Sequence, residues 1–247
     1  HAQCLMLFLA QALDDPLAED CGKCANCDPA SKIAIELPRE LILQAADYLK
    51  YRYVKIRPRK LFGSSGALAK EAFPIYQSPR KNEQLQAEEG LALSRWKDGV
   101  WGDLVAAGKA ADQFSDDLIA PMVQMIQSMP TEQQPRWITY VPSPRHRTLV
   151  KNFAHKLSKA LNIHCSDAIT VAQEKAPQKN MENSYRRSEN LDGAFAVDKA
   201  QVYVDPVFLL DDAVDSGWTF TVTTALLKRA NAGKVYPIAL TSTSNQG

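Results

Sequence analysis

Val207-Phe208-Leu209-Leu210-Asp211-Asp212-Ala213-Val214-Asp215-Ser216-Gly217-Trp218-Thr219 decides the fold. Four apolar residues meet two acids, then a loop of small and polar residues, then Val222, Ala225, Leu226 and Arg229 at helical spacing. The pattern predicts a buried strand, a turn and a helix. Parallel sheets place ligand sites at the carboxyl ends of their strands, and a small-residue loop opening a helix offers backbone N–H groups to phosphate. Paired acids before such a loop can accept hydrogen bonds from sugar hydroxyls, so the order suits a ribose phosphate. An acidic strand end followed by a helix cap at Ser216 or Thr219 is the alternative.

On both sides of this stretch, short apolar runs alternate with helical patterns. Trp137 to Val141, Ala168 to Ala172 and Val235 to Leu240 read as strands. Leu149, Val150, Phe153, Ala154, Leu157, Ala160 and Leu161 form one helix face, and Ala232-Gly233 ends the helix after the acidic loop. The alternation predicts an α/β domain over 136–247 with a mainly parallel sheet. The polar, proline-bounded run 130–135 is the expected linker before it.

The acidic loop resembles the signature of type I phosphoribosyltransferases, an apolar strand, two acids and a loop ending in Gly-x-Thr. Val141-Pro142-Ser143-Pro144-Arg145, with Pro177, Gln178, Arg187, Asn190 and Gly193-Ala194-Phe195, resembles the ComF group of phosphoribosyltransferase-like proteins. The resemblance implies that Asp211 and Asp212 hold the ribose hydroxyls of phosphoribosyl pyrophosphate, and that Asp215, Ser216, Gly217, Trp218 and Thr219 cradle its 5′-phosphate. It places Arg145 at the pyrophosphate and Mg²⁺ with the ligand. Turnover would displace Mg²⁺-bound pyrophosphate from the anomeric carbon, mainly by charge stabilisation and orientation. Gln173 to Asn190, with Lys175, Lys179, Arg186 and Arg187, reads as a flap over the leaving group or as a solvated charged loop. Trp218 stands where the family has a small residue, so its indole is expected to restrict or stack on a nucleotide. No base-recognition hood is visible.

At the other end, Cys4, Cys21, Cys24 and Cys27 follow the spacing C-x16-C-x2-C-x2-C. Short x2 loops give two ligands from one knuckle, and the distant cysteine locks a helix onto it, so the set suits one tetrahedral Zn²⁺. A disulfide framework is the competing reading, but it suits small secreted domains, and Cys165 would remain unpaired. The run Leu5 to Ala10 is expected to be a buried helix; no Lys or Arg precedes it, as a signal peptide would require. Reduced thiols and no export signal favour the cytoplasm.

The cysteine spacing is similar to the zinc-binding subdomain of RecQ-family DNA helicases, where a helix carrying the first cysteine leads to a knuckle carrying the rest. That resemblance implies a fragment whose ATPase motor lobes precede it, and no G-x-x-x-x-G-K-[ST] loop occurs in the chain. A winged helix follows the zinc module in those proteins.

With 45% apolar and 23% charged residues and a net charge of +1, the composition is that of an ordinary globular protein, with no membrane-length apolar run. Charge is nevertheless segregated. Residues 32–81 carry eleven Lys or Arg against four Asp or Glu, while residues 1–31 carry one against five. Leu37, Leu41, Ile42, Ala45, Ala46 and Leu49 have helical spacing, and Tyr51 to Phe62 reads as a strand with Tyr53, Lys55, Arg57 and Arg59 on one face. Such a face can track DNA phosphates while tyrosines stack; an edge strand protected by charge is the alternative. Gly63-Ser64-Ser65-Gly66 reads as a wing-like turn, and 83–129 as helical pieces.

The expected organisation is a zinc module (1–31), a basic α+β winged-helix-like middle (32–129) and a phosphoribosyltransferase-like α/β domain (136–247). Three functions compete. One is an accessory region of a DNA helicase, binding DNA and a phosphoribosyl or nucleotide ligand; another is an active Mg²⁺-dependent transferase; the last is a structural tail for protein contacts.

Overall fold

A computed structural model describes residues 3–16, 18–32, 37–59, 83–173, 191 and 193–244. The chain divides into two compact units, 1–49 and 50–247.

In the first unit, α1 (Leu5–Ala12) starts at Cys4, whose Sγ accepts from the Leu7 N–H as an N-cap. Asp28 caps a 3-10 turn, Pro29–Ser31, through the Ala30 N–H, and α2 (Arg39–Lys50) follows. The expectation that the apolar run is buried fails: Leu5, Met6, Phe8 and Leu9 are 45–50% exposed, and among the described residues of this unit only Cys4 is buried. An apolar helix supplies no layer to cover itself, and a unit this small has little else to bury it with.

The second unit is built on a six-stranded sheet of order β1-β2-β8-β7-β3-β4. Its strands are β1 (Val54–Ile56), β2 (Gly90–Arg95), β3 (Trp137–Tyr140), β4 (His164–Cys165), β7 (Val207–Val214) and β8 (Val235–Ser242). All neighbours run parallel except β1, which lies antiparallel to β2. The mainly parallel α/β architecture is as expected. Ile169–Val171, however, is not in it. As β5 it pairs antiparallel with β6 (Phe195–Val197) in a separate ribbon.

Helices cover both faces. α3 (Trp101–Ala110), α4 (Ile119–Gln127) and α5 (Leu149–Leu161) share a core with Phe208, Leu210, Ile238 and Leu240. α6 (Trp218–Arg229) packs on the opposite face, where Phe220 and Leu227 meet Val207, Leu209, Val235 and Ala239. Alternate residues of β7 thus feed different cores, as strand geometry requires.

The expected break at 130–135 is a connection inside this unit. β2 lies between β1 and β8, and α3 and α4 bury Val105, Met122, Met125 and Ile126 against the same sheet. The described residues of 50–129 therefore pack on the same sheet as those of 136–247. Among the described residues of the expected strand from Tyr51 to Phe62, Val54–Ile56 forms a strand; 60–82, with the end of that strand and the wing-like turn, lies outside the described residues.

Gly90 shows how closely the sheet is assembled: a Cβ there would stand 1.9 Å from the Pro237 carbonyl oxygen. Gly90→Ala should therefore destabilise the second unit by about 2–3 kcal/mol, the cost of forcing a backbone shift in a packed core. Urea unfolding followed by tryptophan fluorescence checks this; an unchanged midpoint would contradict the pairing of β2 with β8.

Candidate functional site: a crevice at the sheet's carboxyl edge

β3 and β7 are neighbours in register, with Thr139 opposite Leu209 and Tyr140 opposite Leu210. Their outgoing connections diverge. From β3 the chain passes through α5 to β4 on one side, whereas from β7 it passes through α6, on the other face, to β8. The crevice at the carboxyl ends of two such strands is where open α/β sheets bind ligands. Both stretches singled out in the sequence, 141–145 and 211–219, leave the sheet here. Val141 N–H donates to the Leu210 carbonyl at 2.8 Å, so the first loop starts tied to the second strand.

The acids lie on the strand itself, which continues to Val214. Asp212 belongs to the α3 face and pairs with Lys109 at 2.6 Å. Asp211 Oδ1 accepts from the Asp212 N–H at 2.8 Å. Burial and the neighbouring Asp212 charge push the Asp211 carboxyl well above the usual carboxylate range. The two acids are therefore unequal, one paired with an ammonium and the other pushed by burial toward its protonated form.

Beyond Val214 the chain is pinned by Thr243 N–H on the Val214 carbonyl at 2.8 Å, then turns at Gly217, whose φ of 75° is the left-handed region that glycine enters without steric cost. Gly217 is the N-cap of α6 and makes no side-chain cap hydrogen bond. Neither Ser216 nor Thr219 caps the helix, which removes the capping alternative. The first-turn N–H groups lack intrahelical acceptors, as at every helix start, and here no cap side chain takes one of them.

Arg59 reaches this loop from the end of β1. It donates to the Ser216 carbonyl at 2.9 Å, and its guanidinium lies 4.3 Å from the Trp218 ring centre. Trp218 itself is 3% exposed and packs with Leu191, Ala194, Val222 and Ala225. The expected stacking of its indole on a nucleotide is therefore not what the structure provides; the side chain is core, capped by a cation–π contact. A shallow cleft beside it is lined by Ile56, Arg59, Leu85, Gly217, Phe220 and Thr221, and holds neither acid.

Two further contacts steady the crevice. Asp112, just past α3, accepts from His146 Nδ1 at 2.7 Å, and His146 N–H donates to Ser143 Oγ at 3.2 Å. Tyr140, the last residue of β3, donates to Asp167 at 2.9 Å, and Asp167 also pairs with Lys151 of α5. Arg145 is exposed, as are Asp215, Lys55 and Arg57, whereas Tyr53 is partly buried against the core. Lys55 pairs with Glu89 at 2.8 Å. Of the four basic-face residues, then, Arg59 serves the loop and Tyr53 the packing. Lys175, Lys179, Arg186, Arg187 and Asn190 lie outside the described residues.

Sequence reasoning missed Lys109 and the place of Arg59. Lys109 sits on a helix assigned to another region, and nothing local marks it; only the pairing of β2 into the sheet brings α3 over the acids.

In the first unit, the Sγ atoms of Cys4, Cys21, Cys24 and Cys27 all lie within 4.8 Å of one another, and none is in a disulfide. Cys4 to Cys21 and Cys24 to Cys27 are 3.5 Å, and Cys24 to Cys4 is 3.8 Å. Zn–S bonds of about 2.3 Å in a tetrahedron place sulfurs about 3.8 Å apart, so the donor set fits one Zn²⁺. Backbone N–H groups of Cys21 and Leu7 hold the Cys4 thiol below its ordinary value, and the Leu5 N–H brings Cys24 down to about 6. The hydrogen bond shared with Cys24 pushes Cys27 up to about 12. Mg²⁺ fits the acid pair poorly, because the Lys109 ammonium already occupies the position beside Asp212 that a directly bound ion would need.

No family model matches the chain, and no curated protein sequence matches it. Among solved structures, the chain is similar to one titled as the allosteric regulatory enzyme of purine biosynthesis, at 16% identity and a TM-score of 0.33. The match covers 48% of this chain and 24% of that one, so the chain spans about a quarter of its length. A likeness this slight carries no argument. No helix among the described residues is long and apolar enough to cross a membrane.

Two outcomes follow from the site geometry. A folded state that favours the Asp211 proton has a contribution to stability that is complete below the unfolded value and lost as pH rises through the higher folded one. Asp211→Asn, which keeps the acceptor for the Asp212 N–H, should thus be at least as stable as wild type at pH 7 and lose that advantage toward pH 4. Urea midpoints at both pH values test it, and a variant weaker at both would refute the protonated reading. Metal analysis should find about one zinc per chain, and its removal should melt α1, since structural sites contribute on the order of 10 kcal/mol. Less than half an equivalent in carefully handled protein would sink the assignment.

Proposed function

We propose that residues 50–247 bind a phosphoribosyl ligand in the crevice between β3 and β7. The observation that carries this is the meeting, at the topological switch point, of the acid pair with a Gly-started, side-chain-uncapped helix. The 5′-phosphate would lie on the 215–219 loop, accepting from backbone N–H groups at the positive end of α6. Sugar hydroxyls would face Asp211 and Asp212, and Arg145 stands on the loop after β3 where a diphosphate would extend. This is the site that the type I phosphoribosyltransferase resemblance implies. Group transfer is the further step within the same reading: a nitrogen nucleophile would form the new bond to the anomeric carbon as pyrophosphate leaves with the bonding pair.

For residues 1–49 we propose a structural zinc module, with the RecQ-like cysteine spacing as the ground for placing it next to a DNA helicase motor in a longer protein. The thiolate geometry supports the metal; the helicase and DNA parts rest on the sequence resemblance. Arg57 remains exposed for a nucleic-acid contact, and steep loss of DNA affinity with salt would be its signature.

Calorimetry of the full chain with phosphoribosyl pyrophosphate and with ribose 5-phosphate tests the crevice. Both should bind, and Asp212→Asn or Gly217→Val should weaken binding about tenfold or more, equivalent to losing one charge-assisted hydrogen bond or the turn that presents the N–H groups. Wild-type protein that binds neither compound would leave only a structural role for this domain.

A further inference from the structure

We infer that the Lys109 ammonium stands in for a divalent cation at the acid pair, so that a sugar phosphate binds the crevice without Mg²⁺. This deepens the phosphoribosyl reading and rests on it.

Lys109 Nζ lies 2.6 Å from Asp212 Oδ2, with side chains 34% and 13% exposed. It is not a passing surface lysine, because the end of its helix is fixed on three sides. A Cβ on the preceding Gly108 would come 2.7 Å from Phe114 Cδ1, so the chain folds tightly back on the helix end. Gln113 N–H donates to the Gly108 carbonyl at 2.9 Å. Asp112 is held by His146, from the loop after β3, at 2.7 Å. The end of α3 is thereby tied to the loop after β3 through Asp112 and to the end of β7 through Lys109, a wall that the sequence did not show.

An acid pair at a strand end needs a counter-charge before it can take part in binding an anionic ligand. A metal ion often supplies it. Here the ammonium does, at the C-terminal end of a helix, where the macrodipole favours a cation. An ammonium has three donors and no acceptor, so one donor on Asp212 leaves two for ligand oxygens. Asp212 Oδ1 keeps lone pairs for a sugar hydroxyl. A magnesium ion coordinated to the same carboxylate would demand octahedral oxygens at short range and sit against a like charge. One cation excludes the other.

The test is calorimetry of the full chain with ribose 5-phosphate, in Mg²⁺-free buffer without chelator so that the cysteine site keeps its metal, and again with millimolar Mg²⁺. Wild type should bind alike in both. Lys109→Gln should lose about tenfold or more without Mg²⁺ and regain most of it when Mg²⁺ is added, while Lys109→Arg should behave as wild type, since it keeps the charge. Unchanged far-UV circular dichroism would show that both variants fold. Wild-type binding that requires Mg²⁺ would overturn the inference and leave the phosphoribosyl reading standing. So would a glutamine variant that binds as wild type in Mg²⁺-free buffer, or one that Mg²⁺ does not rescue. Absence of wild-type binding under both conditions would overturn inference and reading together.

Discussion

The parallel pairing of β3 with β7 is the contact on which the rest of the second unit depends. Once Tyr140 lies opposite Leu210, the Val141 N–H meets the Leu210 carbonyl, and the two loops that carry chemistry leave the sheet side by side. The helices then have no choice of face: α5 must return on the side that feeds β4, and α6 on the side that feeds β8. The alternation along β7 follows from the same geometry. Phe208 and Leu210 enter one core, Val207 and Leu209 the other, and the two acids inherit those parities at the strand end. Asp212 faces α3 and finds Lys109. Asp211 does not, and burial pushes its carboxyl above the usual carboxylate range.

Much of this was legible in the chain. The run Val207 to Leu210 and the face Leu149 to Leu161 have the periods of a buried strand and an amphipathic helix, and both lie where those periods put them. The cysteines were legible through spacing alone, since ligand geometry depends on loop length and little else. β2 was not. Gly90-Leu91-Ala92-Leu93-Ser94-Arg95 contains no β-branched residue, and its strand form comes from pairing with β8 across 146 positions of sequence, which no local period reports. Because β2 was hidden, α3 and α4 were assigned to a separate body and Lys109 went unread. Trp218 failed differently: its position in the loop suggested a ligand surface, but the direction of a side chain at a helix start is set by the core beneath it, here Val222 and Ala225.

The two units hold themselves together by different means. Residues 50–247 bury two hydrophobic layers against a sheet, and the basic residues near their start are partly spent on that fold, with Arg59 over Trp218 and Lys55 on Glu89. Residues 1–49 leave most of their apolar helix surface exposed and gather four thiols instead. In a segment of that size a metal held by those thiols could replace the core that the composition does not supply. Four thiols that could hold a metal such as zinc thus lie in one unit, and the acid pair and the Gly217 helix start in the other.

The most direct test of that assignment is a crystal structure of the full chain grown with ribose 5-phosphate. The account predicts the phosphate on the backbone N–H groups at the start of α6, beside Gly217, and the ring hydroxyls within hydrogen-bond distance of Asp212, with Lys109 still in place. A sugar phosphate ordered elsewhere, for instance in the cleft between Arg59 and Phe220, with the crevice between β3 and β7 holding only water, would contradict it.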